Sequence, residues 1–363
     1  MKVISVLKRS LRIKSPVKLL IILLFLIALS CQKDEFEKYQ YRPDELSVIP
    51  APECSGTSIV DYFPQKTFTI TSKKNLYATK TLSNRNYDYL ENFIITVQNG
   101  SSTKTKVTKL EIVIDGVLVV SNADFRKNLN VVQKPITLTK KSLLKVKLYG
   151  TIGRFVKIKI SGSLKKNTIR DIEGNYYHTV KICDQWWMAE NLKTTKMNDG
   201  TPIKIIYDQD DWWGHTIPTY CWYNHDKTYK DVYGALYDWY AVTSGKLCPV
   251  GWHAPSDEEF QELTDCLGGS QVAGGKLKEA GMLHWQAPNT GATNESGFTA
   301  LPGGMRDMGG VFSNLGTSGF FRSTAEHGDG AQANGWNVYS YNTAFSVFDW
   351  ERTMSFSVRC VKD

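Results

Sequence analysis

All ten tryptophans of this 363-residue chain lie beyond residue 170, and the charge divides at the same place. Residues 32–170 carry a net +12, residues 171–363 a net −10, and residues 1–31 hold six basic and no acidic side chains. Halves so unlike do not share one kind of core, so the division predicts two domains of different construction behind a basic leader. The length accommodates two domains of ordinary size. With 42% hydrophobic and 22% charged residues, most of the chain is expected to fold. No single surface carries the formal +8, so net charge gives no ground for a nucleic-acid partner, and none is expected.

Lys8, Arg9, Arg12, Lys14 and Lys18 precede an apolar run from Leu19 to Leu29. That run is too short to span a bilayer, which takes about 20 residues, but it fits the apolar core of a secretory signal. It ends in Ala28-Leu29-Ser30-Cys31, which resembles the lipobox of bacterial lipoproteins, with Ala28 where Leu is commoner. The resemblance implies a signal peptide over residues 1–30 and lipid on Cys31, the chain's membrane anchor. Lys33-Asp34-Glu35 follows, and resembles the surface-export signal of Bacteroidetes lipoproteins; its plainer reading is a solvated tether. The expected location is the outer membrane, lipid-anchored and facing outward.

Residues 31–60, with Pro43, Pro50 and Pro52 and no periodicity, are expected to form a lipidated tether. Residues 61–166 carry strand signals. Leu110–Ile114 and Val117–Val120 flank Asp115-Gly116, the pair that supplies the positive φ angles of a type I′ turn. Val156, Ile158 and Ile160 alternate with Lys157 and Lys159, and Leu144, Val146 and Leu148 with Lys145 and Lys147. Thr67–Thr71 and Phe93–Val97 add further strands. An all-β, immunoglobulin-like sandwich is the expected fold. Its lysines are read first as residues that keep strands soluble and edges unpaired, and second as a face for anionic surfaces.

After residue 168 the signals change. Trp187-Met188-Ala189-Glu190-Asn191-Leu192-Lys193 is followed by Tyr233-Gly234-Ala235-Leu236-Tyr237-Asp238-Trp239, expected to open a short helix with Leu236, Trp239, Tyr240 and Val242 on its apolar side. Leu247-Cys248-Pro249-Val250-Gly251-Trp252-His253-Ala254-Pro255 leads to Ser256, an N-cap with Glu259 placed to complete a capping box. Phe260, Leu263 and Leu267 mark that helix's buried face, and Gly268-Gly269 stops it. Near the end, Met354, Phe356, Val358 and Cys360 alternate with Ser355, Ser357 and Arg359, which predicts a half-buried closing strand. With Asn294–Gly304 and Ser357–Asp363, these segments resemble the Fibrobacter succinogenes major paralogous domain over residues 168–363. The chain departs from the family pattern at Cys183, where Gly is usual, at Phe260, where Trp is usual, and at Phe321-Arg322-Ser323-Thr324. The order of elements is also similar, remotely, to the C-type-lectin and formylglycine-generating-enzyme fold. That implies an α+β domain whose terminal strands pair around long loops.

Catalytic and metal chemistry find little support. Ala287-Pro288-Asn289 lacks the acid of a lectin calcium motif, and Trp336-Asn337 is followed by Val338. Asp208-Gln209-Asp210-Asp211 has oxygens for calcium but not the rest of a loop, and is read as a solvated turn. The six histidines have no metal spacing; His253 is the best single candidate for a role and is read as a packed strand residue. No enzyme, cofactor or metal is expected. Once Cys31 takes lipid, Cys54, Cys183, Cys221, Cys248, Cys266 and Cys360 remain for an oxidising compartment. The family resemblance implies a Cys248–Cys360 disulfide; the pairing of the other cysteines stays open, with free buried thiols the plainer reading of Cys183 and Cys266. Gly319–Trp350 concentrates Trp336, Asn337, Tyr339, Tyr341 and Trp350 among Ser, Gly and Asn, the composition of binding loops. Two readings of these aromatics stand: an outward face for an extracellular glycan or protein, or inward packing. The expectation for the whole chain is a surface lipoprotein with a recognising tip; the alternative is an assembly part of a surface layer or fibre.

Overall fold

A computed structural model describes residues 59–363 apart from 73–74, 85, 126–128 and 329–331, so the leader, Cys31, Cys54 and nearly all of the tether lie outside the described residues. The first half holds eight strands: β1 (Ile59–Thr69), β2 (Leu76–Ser83), β3 (Leu90–Asn99), β4 (Lys109–Ile114), β5 (Val117–Ser121), β6 (Val131–Pro135), β7 (Lys141–Tyr149) and β8 (Phe155–Leu164). They pair into two four-stranded antiparallel sheets, β1-β8-β3-β6 and β2-β7-β4-β5. The alternation seen in the sequence is what joins them. Ile95, Leu110, Ile112, Leu144, Leu148, Val156, Ile158 and Ile160 are all fully buried in one core, with the lysines between them facing water. Asp115 and Gly116 have φ of 49° and 87°, as the two-residue turn requires. β1 starts at Ile59, inside the expected tether, and carries Pro64 on an edge strand where the register with β8 shifts. That is where a strand tolerates proline.

The second half begins with β9 (Thr168–Arg170), β10 (Tyr176–Ile182) and β11 (Gln185–Met188), and continues through β12 (Tyr220–Cys221), β13 (Leu236–Tyr237) and β14 (Trp252–His253). β15 (Gly303–Arg306), β16 (Phe312–Leu315), β17 (Ser318–His327), β18 (Gln332–Tyr339), β19 (Phe345–Glu351) and β20 (Val361–Lys362) complete the strands. Two five-stranded sheets result, β14-β20-β11-β10-β9 and β16-β15-β17-β18-β19, with β12-β13 as a separate pair. Trp187 of β11 pairs with Val361 of β20, so strands near both ends of this half meet across long irregular segments. No helix among the described residues is long and apolar enough to cross a membrane.

The helix Asp257–Cys266 is capped as expected: Glu259 N donates to Ser256 Oγ, and Ser256 N donates to Glu259 Oε2 at 2.9 Å. Two expectations change. Leu236 does not belong to a helix but to β13, and the helix there spans only Trp239–Val242, capped by Asp238. Gly234 forces the break: its φ is 74°, and a Cβ there would lie 2.7 Å from Leu192 O. The closing segment is not half-wet, because Ser355, Ser357 and Arg359 are buried along with Phe356, Val358 and Cys360. It runs between sheets, bridging Arg306, Tyr237 and Phe321 in turn. Arg359 can be buried because its guanidinium donates to Asn191 Oδ1 at 2.7 Å and to the carbonyls of Phe298, Thr299 and Met188.

Cys248 and Cys360 form a disulfide, as the family resemblance implied, with Cα atoms 6.0 Å apart. Cys183 and Cys266, whose pairing was open, are also joined, and Cys221 is the free buried thiol among the described residues. Cys183 stands in the β10–β11 turn with φ of 52°, so the departure from the family's glycine falls where glycine would be unstrained. Phe260, at the other departure, fills the core between Trp187, Trp336 and Phe345.

Candidate functional site

The aromatic segment after Gly319 divides between the two readings left open for it. Trp336 is 3% exposed; its ring packs on Phe260 and Phe345, and its Nε1 donates to Asp257 Oδ1 at 3.0 Å. Asn337 is 1% exposed, and Trp350 packs against Phe320 and Phe356. The outward reading is corrected at Trp336 and Asn337, both buried, while Trp350, on the edge strand β19, is half-buried. The exposed aromatics of the segment are Phe348 and Tyr341, the latter with Tyr339 stacked on it at 5.1 Å. The loop of the two tyrosines is held from below by Lys278, whose buried ammonium donates to the carbonyls of Thr290, Tyr339 and Asn342.

The histidines single out a different place. His178, His215, His253, His284 and His327 each sit beside a carboxylate, at 2.6 to 3.1 Å. His253 is bound on both ring nitrogens, by Asp363 and Glu259, so neither is free to act. His225 is the exception. It has no acidic partner among the described residues, and its Nδ1 is buried without a hydrogen bond. Burial, and then the Arg306 charge, pull its pKa below the ordinary value, so the ring is neutral at pH 7.

His225 lines an open cleft of about 400 Å³ with Tyr207, Asn224, Arg306 and Phe312. Local sequence explains each wall. Asp208 accepts from Asp210 N and starts the one-turn helix Gln209–Trp212. Gln209 Nε2 donates to Gly309 O at 2.6 Å and Trp212 Nε1 donates to Asp307 O at 2.9 Å, which fastens this turn to the loop between β15 and β16. Gly310 closes that loop with φ of 80°, where a Cβ would sit 3.3 Å from the Trp212 ring. Arg306 lies under the cleft, 1% exposed, its guanidinium 3.7 Å from the centre of Trp212 and donating to Ile206 O and Gly310 O. The third wall is strained: Asn224 and His225 both have positive φ, 52° and 56°. This places the His225 ring 4.8 Å from Tyr207 and 5.0 Å, edge-on, from Phe312.

Behind the cleft, His215 fixes the Trp212 turn. Its Nδ1 is 2.8 Å from Trp212 O and its Nε2 2.8 Å from Asp238 Oδ2, and Thr219 Oγ1 donates to the same carboxylate at 2.6 Å. Burial opposes the charged ring, but Asp238 and the Trp212 carbonyl outweigh it and raise the His215 pKa. Tyr207 and Val311, which line the cleft, are each more than half exposed, as is Trp213 at the end of the Gln209–Trp212 turn. Exposed aromatics next to strained backbone and a polar atom without a partner are the marks of a binding place. Among the described residues no three His, Cys, Asp or Glu side chains converge as a metal would need; Asp210 and Asp211 point to solvent.

The acidic run at Asp208 was visible in the sequence, but Tyr207, His225, Arg306 and Phe312 were not picked out. The signals that could have found them are the Trp212-Trp213 pair and the Gly309-Gly310 turn. Residues 180–362, just over half of the chain, match the model of a family described as the Fibrobacter succinogenes major domain. No curated protein and no solved structure matches the chain.

Proposed function

The chain belongs to the Fibrobacter succinogenes major domain family, and from that membership we propose a surface lipoprotein whose C-terminal half recognises an extracellular glycan or protein at the Tyr207–Phe312 cleft. The single observation that carries this reading is His225, the one histidine without an acidic partner among the described residues, held in strained backbone beside the exposed Tyr207. The leader and Cys31 support an outer-membrane lipid anchor, with Lys33-Asp34-Glu35 supporting an outward orientation. The paired four-stranded sheets support an immunoglobulin-like spacer, and the β11–β20 pairing around long irregular segments supports a lectin-like tip. Recognition without catalysis fits histidines that are tied into ion pairs rather than poised beside a nucleophile.

The test is binding of the purified full chain to bacterial and host surfaces. Replacing Tyr207 and Trp213 together by Ala is expected to weaken binding at least about tenfold, a hot-spot loss. Unchanged binding would place recognition elsewhere. Cys31→Ala is expected to release the chain from the membrane fraction, and protease added to intact cells to cleave the wild type. A second reading, assembly into a layer or fibre, draws on β19, an edge strand that exposes Val347 and Phe348. It predicts concentration-dependent oligomers of the full chain that Phe348→Lys abolishes.

A further inference from the structure

We infer that the occupant of the cleft is a polypeptide segment with an apolar or aromatic side chain flanked by Lys or Arg; this deepens, and rests on, the recognition reading above. A sugar is gripped by polar groups set aside for its hydroxyls, and here several polar groups of the cleft are committed within the chain. Arg306 is committed to Ile206 O and Gly310 O, and Gln209 to Gly309 O. Asp307 Oδ1 accepts from Val311 N at 2.9 Å. What remains open in the lining is the His225 ring, the exposed Asn224 side chain and apolar surface. That surface includes an aliphatic side chain as well as rings: Val311 is 57% exposed and Tyr207 67%, while Met308 and Trp213, exposed at 45% and 67%, stand on the segments that carry the lining residues. Exposed apolar surface of this make-up suits protein contacts, where Trp, Tyr and Met are enriched.

Charge gives the rest of the occupant's chemistry. Asp208, Asp210, Asp211 and Asp307 stand on the two segments that carry the lining residues Tyr207, Gln209, Arg306 and Gly309, and none forms an ion pair among the described residues. Residues 207–213 contain no basic side chain, and the one cation beneath, Arg306, is buried against Trp212 and turned to carbonyls. A partner entering with its apolar side chain would therefore meet negative charge on these segments, which flanking lysine or arginine complements.

The full chain would be probed with a displayed library of random twelve-residue peptides and, in parallel, with a panel of soluble polysaccharides. Two variants accompany it: Val311→Asp, at an exposed position, and the double variant Asp210→Asn with Asp211→Asn. The expected result is enrichment of peptides with Phe, Leu or Trp next to Lys or Arg. Their affinity should fall about tenfold in Val311→Asp and about fivefold in the double Asn variant, with salt weakening the wild type toward it. Polysaccharide binding lost in Val311→Asp would keep recognition at the cleft but overturn the polypeptide occupant. Enriched peptides without basic residues would overturn the charge complementarity. Peptide binding that Val311→Asp leaves intact, or no binding by either panel, would overturn the cleft itself.

Discussion

His215 joins two elements through one charged contact: its ring reaches the Trp212 carbonyl on one side and Asp238 on the other. A raised folded pKa means that the folded state holds the proton more tightly than the unfolded chain. The stabilisation is complete below the ordinary histidine pKa of 6.5 and is lost as pH climbs through the higher folded value. Urea unfolding of the wild type and His215→Gln at pH 5.5 and pH 8.5 checks this: the gap between the two proteins should be wider at the lower pH. A gap independent of pH would mean that the His215 pKa does not change on folding. Lys278 titrates in the opposite sense. Burial pulls its pKa down to about 8, so its contribution to stability grows as pH rises from there toward the unfolded value of 10.5. Lys278→Met should cost about 1–3 kcal/mol, because three buried carbonyls lose their donor, and should loosen the Tyr341 loop in hydrogen exchange. Neither group was legible in the sequence, since a lone His or Lys reveals nothing of the carbonyls that other segments bring to it.

Among the elements, the closing segment holds the second half together. It contributes Ser355, Phe356 and Ser357 as single bridges to three different strands, then β20, and then the disulfide from Cys360 to Cys248. Replacing Cys248 and Cys360 together by Ala should lower stability by about 2–4 kcal/mol, read as a shift in the midpoint of thermal unfolding. An unchanged midpoint would mean that the Arg359 and sheet contacts suffice. The strands of the first half were legible because one face of each is wet and the period of two survives in the sequence. The capping box was legible because its partners are three residues apart. The closing segment misled for the opposite reason. Its serines and arginine suggest solvent, yet Ser357 and Arg359 are buried because Asn191 and distant carbonyls satisfy them. The cleft was hidden in the same way: its walls come from around residues 207, 225 and 306, which share no local period.

For the molecule as a whole, the two halves touch through Tyr89. Its ring lies 5.5 Å from Tyr176 and 4.5 Å from His178, and its carbonyl accepts from Lys165 N at 3.0 Å. Tyr176 itself packs into the core of the first half. The contact couples the two halves, and Tyr89→Ala should split one calorimetric unfolding transition into two. A single unaltered transition would show that the halves are coupled elsewhere.

Hydrogen exchange of the full chain, with and without a peptide selected by binding, tests recognition at the cleft most directly. Protection is expected at residues 207–213, 223–225 and 306–312, the three segments that form its walls. Protection confined to the loop carrying Tyr339 and Tyr341, or no change at the three segments, would contradict it.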